Sequence, residues 1–191
     1  SGDHTHKVKE VVAVTRIPNQ TTIYPGQQLE LNFSLRVPDT IPISLLATKY
    51  YFRTNLDIKD ALDSADLDPI KVLPAGILAN FMMAFDSLGF VVRAEAYNGK
   101  YQLLDFYPTS WLAGQLDELT FAYQPASATR EIAGHYEIDK RNYGLLGMLA
   151  DELDLDEKKG FFRFATGELA TPEQAKETIR RFISNNLKQL I

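Results

Sequence analysis

Residues 90–139 read FVVRAEAYNGKYQLLDFYPTSWLAGQLDELTFAYQPASATREIAGHYEID, and this stretch decides the fold. Four runs rich in Val, Phe, Tyr, Leu and Ile, at residues 90–96, 101–107, 116–123 and 130–139, are separated by Asn98-Gly99, by residues 108–114 and by residues 125–129. Aromatic and β-branched side chains suit a pleated, half-buried surface, while Gly, Pro and Asn supply the backbone conformations of turns. Short strands at this spacing predict an all-β sandwich and not alternating βαβ units. A last short strand is expected at residues 161–164.

Toward the N-terminus the same period of two recurs. Leu29, Leu31, Phe33, Leu35 and Val37 alternate with Gln28, Glu30, Asn32, Ser34 and Arg36, the pattern of a half-buried strand over residues 27–37. Tyr24-Pro25-Gly26 before it reads as a turn, with Gly at the φ > 0 position, and the Val-rich residues 7–16 read as a further strand. Pro38 and Pro42 bracket an extended link, because proline disfavours helix at itself and in the residue before it. Residues 45–58 predict a third strand and residues 70–73 a short one, with acidic turns between.

Two helices interrupt the strands. Ile77, Leu78, Phe81, Met82, Phe85 and Leu88 share one face of a helix over residues 75–88, and Gly89 stands where a left-handed residue ends such a helix. Thr171-Pro172-Glu173-Gln174 opens the second with an N-cap, a proline at the first helical position and a glutamine at the third. Its apolar stripe is Ala175, Ile179, Phe182, Ile183 and Leu187, and Lys176, Arg180, Arg181 and Lys188 make the rest basic. Docking of this stripe on the sandwich is the expected arrangement, since tertiary burial supplies most helical stability; an anionic membrane surface or an acidic partner is the alternative. Trp111 in the 108–114 loop could anchor a partner, although loop or core burial explains a single tryptophan more simply.

Composition narrows the function classes. The chain has 191 residues, 20 Lys and Arg against 25 Asp and Glu, a net charge of −5, 45% apolar residues and no cysteine. A balance this acidic argues against a dedicated nucleic-acid binder. The most apolar stretch, residues 70–85, contains Lys71, so no bilayer span is expected. Absence of cysteine excludes disulfides, thiolate metal sites and thiol nucleophiles, and fits a reducing, cytoplasmic setting. The chain begins Ser1-Gly2-Asp3, which suggests a cleaved tag or a missing upstream part.

Chemistry-bearing constellations are sparse. The carboxylates Asp57, Asp60, Asp63, Asp66 and Asp68 lack the spacing and the glycine of a calcium loop, as do Asp154 and Asp156 within residues 151–157. Asp66, Asp68, Asp154 and Asp156 are therefore only weak cation candidates beside turn and cap roles, and no metal or cofactor is expected. His4 and His6 make an incomplete metal site. His135 lies in a strand without a nucleophile at catalytic spacing, and no Gly-x-Ser-x-Gly elbow is present. Residues 144–147, Gly-Leu-Leu-Gly, lack the lysine of a phosphate-cradling loop. A hydrolase or ligand-binding sandwich with a carboxylate/His135 site remains the alternative to a non-enzymatic protein, and would need His135 and at least two carboxylates in one concave pocket.

A resemblance joins these pieces. Thr54-Asn55-Leu56-Asp57-Ile58-Lys59-Asp60-Ala61, Asp63, Asp66-Leu67-Asp68, Ile70 and Val72-Leu73-Pro74 are followed by Leu88-Gly89-Phe90, Leu116-Asp117-Glu118-Leu119, Glu137-Ile138-Asp139-Lys140-Arg141, the 144–147 word and Leu155-Asp156-Glu157. In that order, with Pro25-Gly26, Phe33-Ser34, Val37-Pro38 and Thr40-Ile41-Pro42 ahead of them, they resemble the bacterial sporulation-control members of the arrestin-like superfamily. The resemblance implies an arrestin-like, immunoglobulin-like β-sandwich with one inserted helix and a C-terminal helix. It further implies a non-enzymatic, cytoplasmic scaffold or regulator in sporulation or cell-division control that acts through protein–protein contacts. Residues 1–42 would be the remnant of an N-terminal arrestin-like domain, 43–170 the C-terminal sandwich and 171–191 the terminal helix, because a sandwich takes about 100 residues. A partner protein is expected, self-association through the truncated N-terminal part follows from its bare strand edges, and Lys176, Arg180, Arg181 and Trp111 are the candidate interaction residues.

Overall fold

A computed structural model describes residues 8–17, 21–57, 64–139 and 160–187. In chain order it contains β1 (Tyr50–Leu56), β2 (Ser64–Ile70), α1 (Gly76–Ser87), β3 (Phe90–Tyr97), β4 (Gln102–Pro108), β5 (Glu118–Tyr123), β6 (Glu131–Asp139), β7 (Gly160–Ala165) and a C-terminal helix, α2 (Pro172–Leu187). β1 and β2 form a two-stranded antiparallel ribbon, and β3 to β7 form a five-stranded sheet in sequence order. Every neighbour in that sheet is antiparallel.

One face of the five-stranded sheet is the core. Leu104, Phe106, Leu119, Phe121, Tyr123, Ile132, Phe162 and Phe164 are buried on it beneath Ile77, Leu78, Phe81, Ala84 and Phe85 of α1 and Ala175, Ile179 and Ile183 of α2. Phe121 sits at the centre, edge-on to Phe81, Phe85 and Phe162 at 5.7, 5.3 and 4.7 Å. Each such ring, fully taken from water, contributes about 1.5–3 kcal/mol. The layer against this face is therefore a helix pair, where the sequence led us to expect a second sheet. The apolar stripes of α1 and α2 cover the strands, and Asn80 Nδ2 of α1 donates to the Leu169 carbonyl (2.7 Å) just ahead of α2, which ties the two helices together.

Most expected elements stand within two residues of their sequence boundaries. Gly89 has φ +78°, and a Cβ there would lie 1.8 Å from Ser110 Oγ, so glycine meets both a conformational and a steric demand. Gln174 N donates to Thr171 Oγ1 (3.2 Å), the N-cap bond read from the sequence. The N-terminal third differs. Residues 8–17 and 27–37 carry no strand, because alternation alone does not make one: backbone donors and acceptors need a neighbouring strand, and no described strand pairs with them. Residues 64–68, read as acidic turn, are instead most of β2, with Thr54 opposite Asp66 and Phe52 opposite Asp68. The Tyr24–Gln27 turn is present, with Gln27 N donating to Tyr24 O (2.9 Å) and Gly26 at φ +81°.

Candidate interaction surface

A bulge in β3 controls what reaches the sheet's core face. Val92 pairs with Phe106 and Ala94 with Asp105, so Arg93 is the extra residue and the alternation shifts by one. Beyond it Glu95, opposite Leu104, takes a core-face position and is 5% exposed. Arg93 itself lays its guanidinium over the Tyr107 ring at 3.3 Å.

Burial of a carboxylate demands partners, and Glu95 has them in the strap ahead of β1. Its Oε2 accepts from the backbone N–H groups of Ala47 (2.7 Å) and Thr48 (2.9 Å), and its Oε1 accepts from Gln102 Nε2 (2.9 Å) and from the Thr48 hydroxyl. Gln102, wholly buried, grips the same strap: its Oε1 accepts from Ile43 N (2.9 Å) and from the Tyr123 hydroxyl (2.6 Å), while Nε2 donates to Ile43 O (2.8 Å). Tyr50 OH donates to Pro42 O (2.7 Å). Burial, then the charge of Glu95, pushes the Tyr123 phenol up; burial, then Tyr97 and Glu95, pushes Tyr50 up to about 12. This polar clamp fastens residues 42–48 to the sheet. Sequence reading did not single out Glu95, Gln102 or Tyr123. The signal was a Glu and a Gln inside aromatic strands, but their partners in the strap lie 47 to 59 residues away in the chain.

Of the candidate interaction residues, the structure brings Trp111 and Arg180 together. Trp111 is half-buried in the β4–β5 loop, edge-on to Phe90 at 6.1 Å, and the Arg180 guanidinium lies 5.8 Å from its ring centre. Arg180 also approaches Glu177 at 3.8 Å, an exposed pair that contributes little. Arg181 is exposed on the adjoining face of α2 and Lys176 half-buried. An exposed guanidinium beside an indole can hold a carboxylate by paired hydrogen bonds and offer an apolar rim. The apolar stripe of α2, by contrast, is consumed in the core: Phe182 meets Tyr136 at 4.8 Å and Phe164 at 5.3 Å.

The remaining candidates are scattered. Asp66 and Asp68 are exposed on β2, and Asp66 Oδ1 accepts from Leu67 N (2.9 Å), an ordinary local bond. His135 stands on the opposite face of the sheet from the helices, 5.5 Å from the Tyr101 ring and 4.4 Å from Phe161. Among the described residues no three His, Asp or Glu side chains gather in a way that could hold a metal ion. Asp154, Asp156, His4, His6 and residues 144–147 lie outside the described residues. Among the described residues no helix is long and apolar enough to cross a membrane.

Comparison with known proteins gives these surfaces a context. A family model described as SpoOM protein, the Spo0M family, matches residues 1–142. The chain belongs to the Spo0M family. Its relative in Bacillus subtilis, the sporulation-control protein Spo0M, is 28% identical over 191 residues, covering 95% of this chain and 73% of that protein. The crystal structure of Spo0M from Bacillus subtilis superposes with a TM-score of 0.61 at 26% identity, over 81% of this chain and 65% of that one. Measured against the solved Spo0M chain, ours thus spans just under two thirds of the length. The Spo0M family match reaches the end of β6, so β7 and α2 lie beyond it.

Proposed function

We propose that this chain is a non-enzymatic regulator in sporulation or cell-division control that works in the cytoplasm as a scaffold for protein–protein contacts. The observation that carries the reading is its membership of the Spo0M family together with a relative named for sporulation control. The cysteine-free composition suits the cytoplasm, and the Arg180, Arg181 and Trp111 surface suits an acidic partner segment. In the arrestin-like form of this reading, residues 1–42 belong to an N-terminal sandwich, residues 43–170 to the C-terminal unit and residues 171–191 to a terminal helix. The ordered family words, the antiparallel meander and the apolar alternation of Leu29 to Val37 support that form, with the helix pair standing where its second sheet would lie.

The test is deletion of the gene in its own host, followed by heat-resistant spore counts. We expect a changed count, restored by the wild-type gene and not by Arg180→Glu/Arg181→Glu, whose product keeps wild-type thermal stability. Unchanged counts on deletion would remove the sporulation role; full restoration by the double variant would remove this surface from it.

A further inference from the structure

Residues 28–38 read QLELNFSLRVP and combine three observations. Leu29, Leu31, Phe33 and Val37 are between 41% and 48% exposed, so the apolar face of this alternating segment is only half covered. Among the described strands none pairs with it, although Phe33 lies flat on Phe52 of β1 (5.4 Å, 13°) and so turns that face toward the ribbon. The segment is also complementary to its own reverse. Laid antiparallel on a copy with Phe33 opposite Phe33, Leu29 meets Val37, Leu31 meets Leu35, Asn32 meets Ser34 and Glu30 meets Arg36. The two-fold axis repeats each pair, which puts every apolar side chain on one face and two opposite-charge pairs on the other.

Other registers do not share this property. A one-residue slip sets Leu29 against Arg36 and mixes the faces; a two-residue slip in either direction separates Glu30 from Arg36. Cross-strand apolar and opposite-charge pairs are the units that stabilise an antiparallel ladder, and an isologous two-fold contact repeats them at no cost in new surface.

We propose that residues 28–38 are a homodimerisation strand, pairing antiparallel with the same segment of a second copy of this chain about a two-fold axis at Phe33. The ladder gives the backbone of the segment the neighbour that none of the described strands supplies, and the ion pairs set its register. Arg36 leaves its contact with Asp39 (3.4 Å, both side chains exposed) to reach Glu30 of the second copy. This dimer gives the self-association expected from the sequence a defined register, and its test makes no use of the sporulation role.

The absence of cysteine makes a clean probe. In the full 191-residue chain, Phe33→Cys places two thiols on the axis and crosslinks on mild oxidation. Leu31→Cys does not, because its two copies stand about 13 Å apart along the strands, beyond disulfide reach. By sedimentation, the wild-type mass is twice 21.5 kDa. Glu30→Arg weakens the dimer on the order of ten-fold, and Glu30→Arg/Arg36→Glu restores it. A monomer over a broad concentration range, a dimer indifferent to Glu30→Arg, or equal crosslinking at positions 31 and 33 overturns the proposal.

Discussion

Glu95 is a side chain with no freedom to be replaced. Four donors converge on its carboxylate, and Glu95→Ala leaves the Ala47 and Thr48 amides, the Thr48 hydroxyl and one Gln102 proton without their acceptor. The expected cost is about 1–3 kcal/mol, read as a lower denaturant midpoint, with faster hydrogen exchange at Ala47 and Thr48 than in β4. The tyrosines around the clamp predict a pH dependence. Burial disfavours their phenolates, so the folded chain holds these protons more tightly than the unfolded one. The resulting stability is fully present below pH 10 and is lost as pH climbs from 10 toward 12, when the unfolded tyrosines ionise first. Denaturant midpoints taken across that window should fall, and less steeply in Tyr50→Phe. None of this was legible in the sequence. Counted by simple alternation from Phe90, Glu95 points to solvent; the bulge at Arg93 reverses it, and a bulge leaves no mark in a run such as Val91-Val92-Arg93-Ala94.

At the scale of elements the sequence was most informative where a helix begins or ends. The Thr171 cap and the Gly89 stop are local chemistry, set by neighbours within four residues, and both are present. Strands β3 to β6 were legible because short connections bring their partners close in sequence. Residues 27–37 were not, since whether an alternating run becomes a strand depends on a neighbour elsewhere. The role of α2 was legible as docking, but its target was not: the stripe Ala175, Ile179 and Ile183 covers a sheet face that the sandwich reading assigned to other strands. Ile179→Ala should therefore cost about 2–5 kcal/mol, although α2 lies beyond the residues matched by the family model. Chemical denaturation with an unchanged cooperative slope checks this; a loss under 1 kcal/mol would mean α2 is peripheral to the core.

Across the whole molecule, stability is divided unequally. The five-stranded sheet with its two helices holds the apolar core, whereas the β1–β2 ribbon has every β2 residue exposed and only Tyr50 and Phe52 of β1 half-buried. Two strands without a layer beneath them are marginal on their own. Hydrogen exchange should accordingly separate into two classes, with ribbon amides opening far below the global unfolding free energy and β4–β5 amides near it. Uniform protection would mean that the ribbon draws support from outside the described contacts. The candidate surface was half legible in the same sense: Trp111 and Arg180 were each visible as residues, but their meeting depends on α2 crossing to the β4–β5 loop.

That meeting has a practical consequence. The chain carries a single tryptophan, held against Phe90 on one side and under a cation from α2 on the other. Its fluorescence is thus an unlabelled optical gauge of one joint in the molecule: when α2 lifts from the sheet, the indole loses its cover and its emission moves to the red.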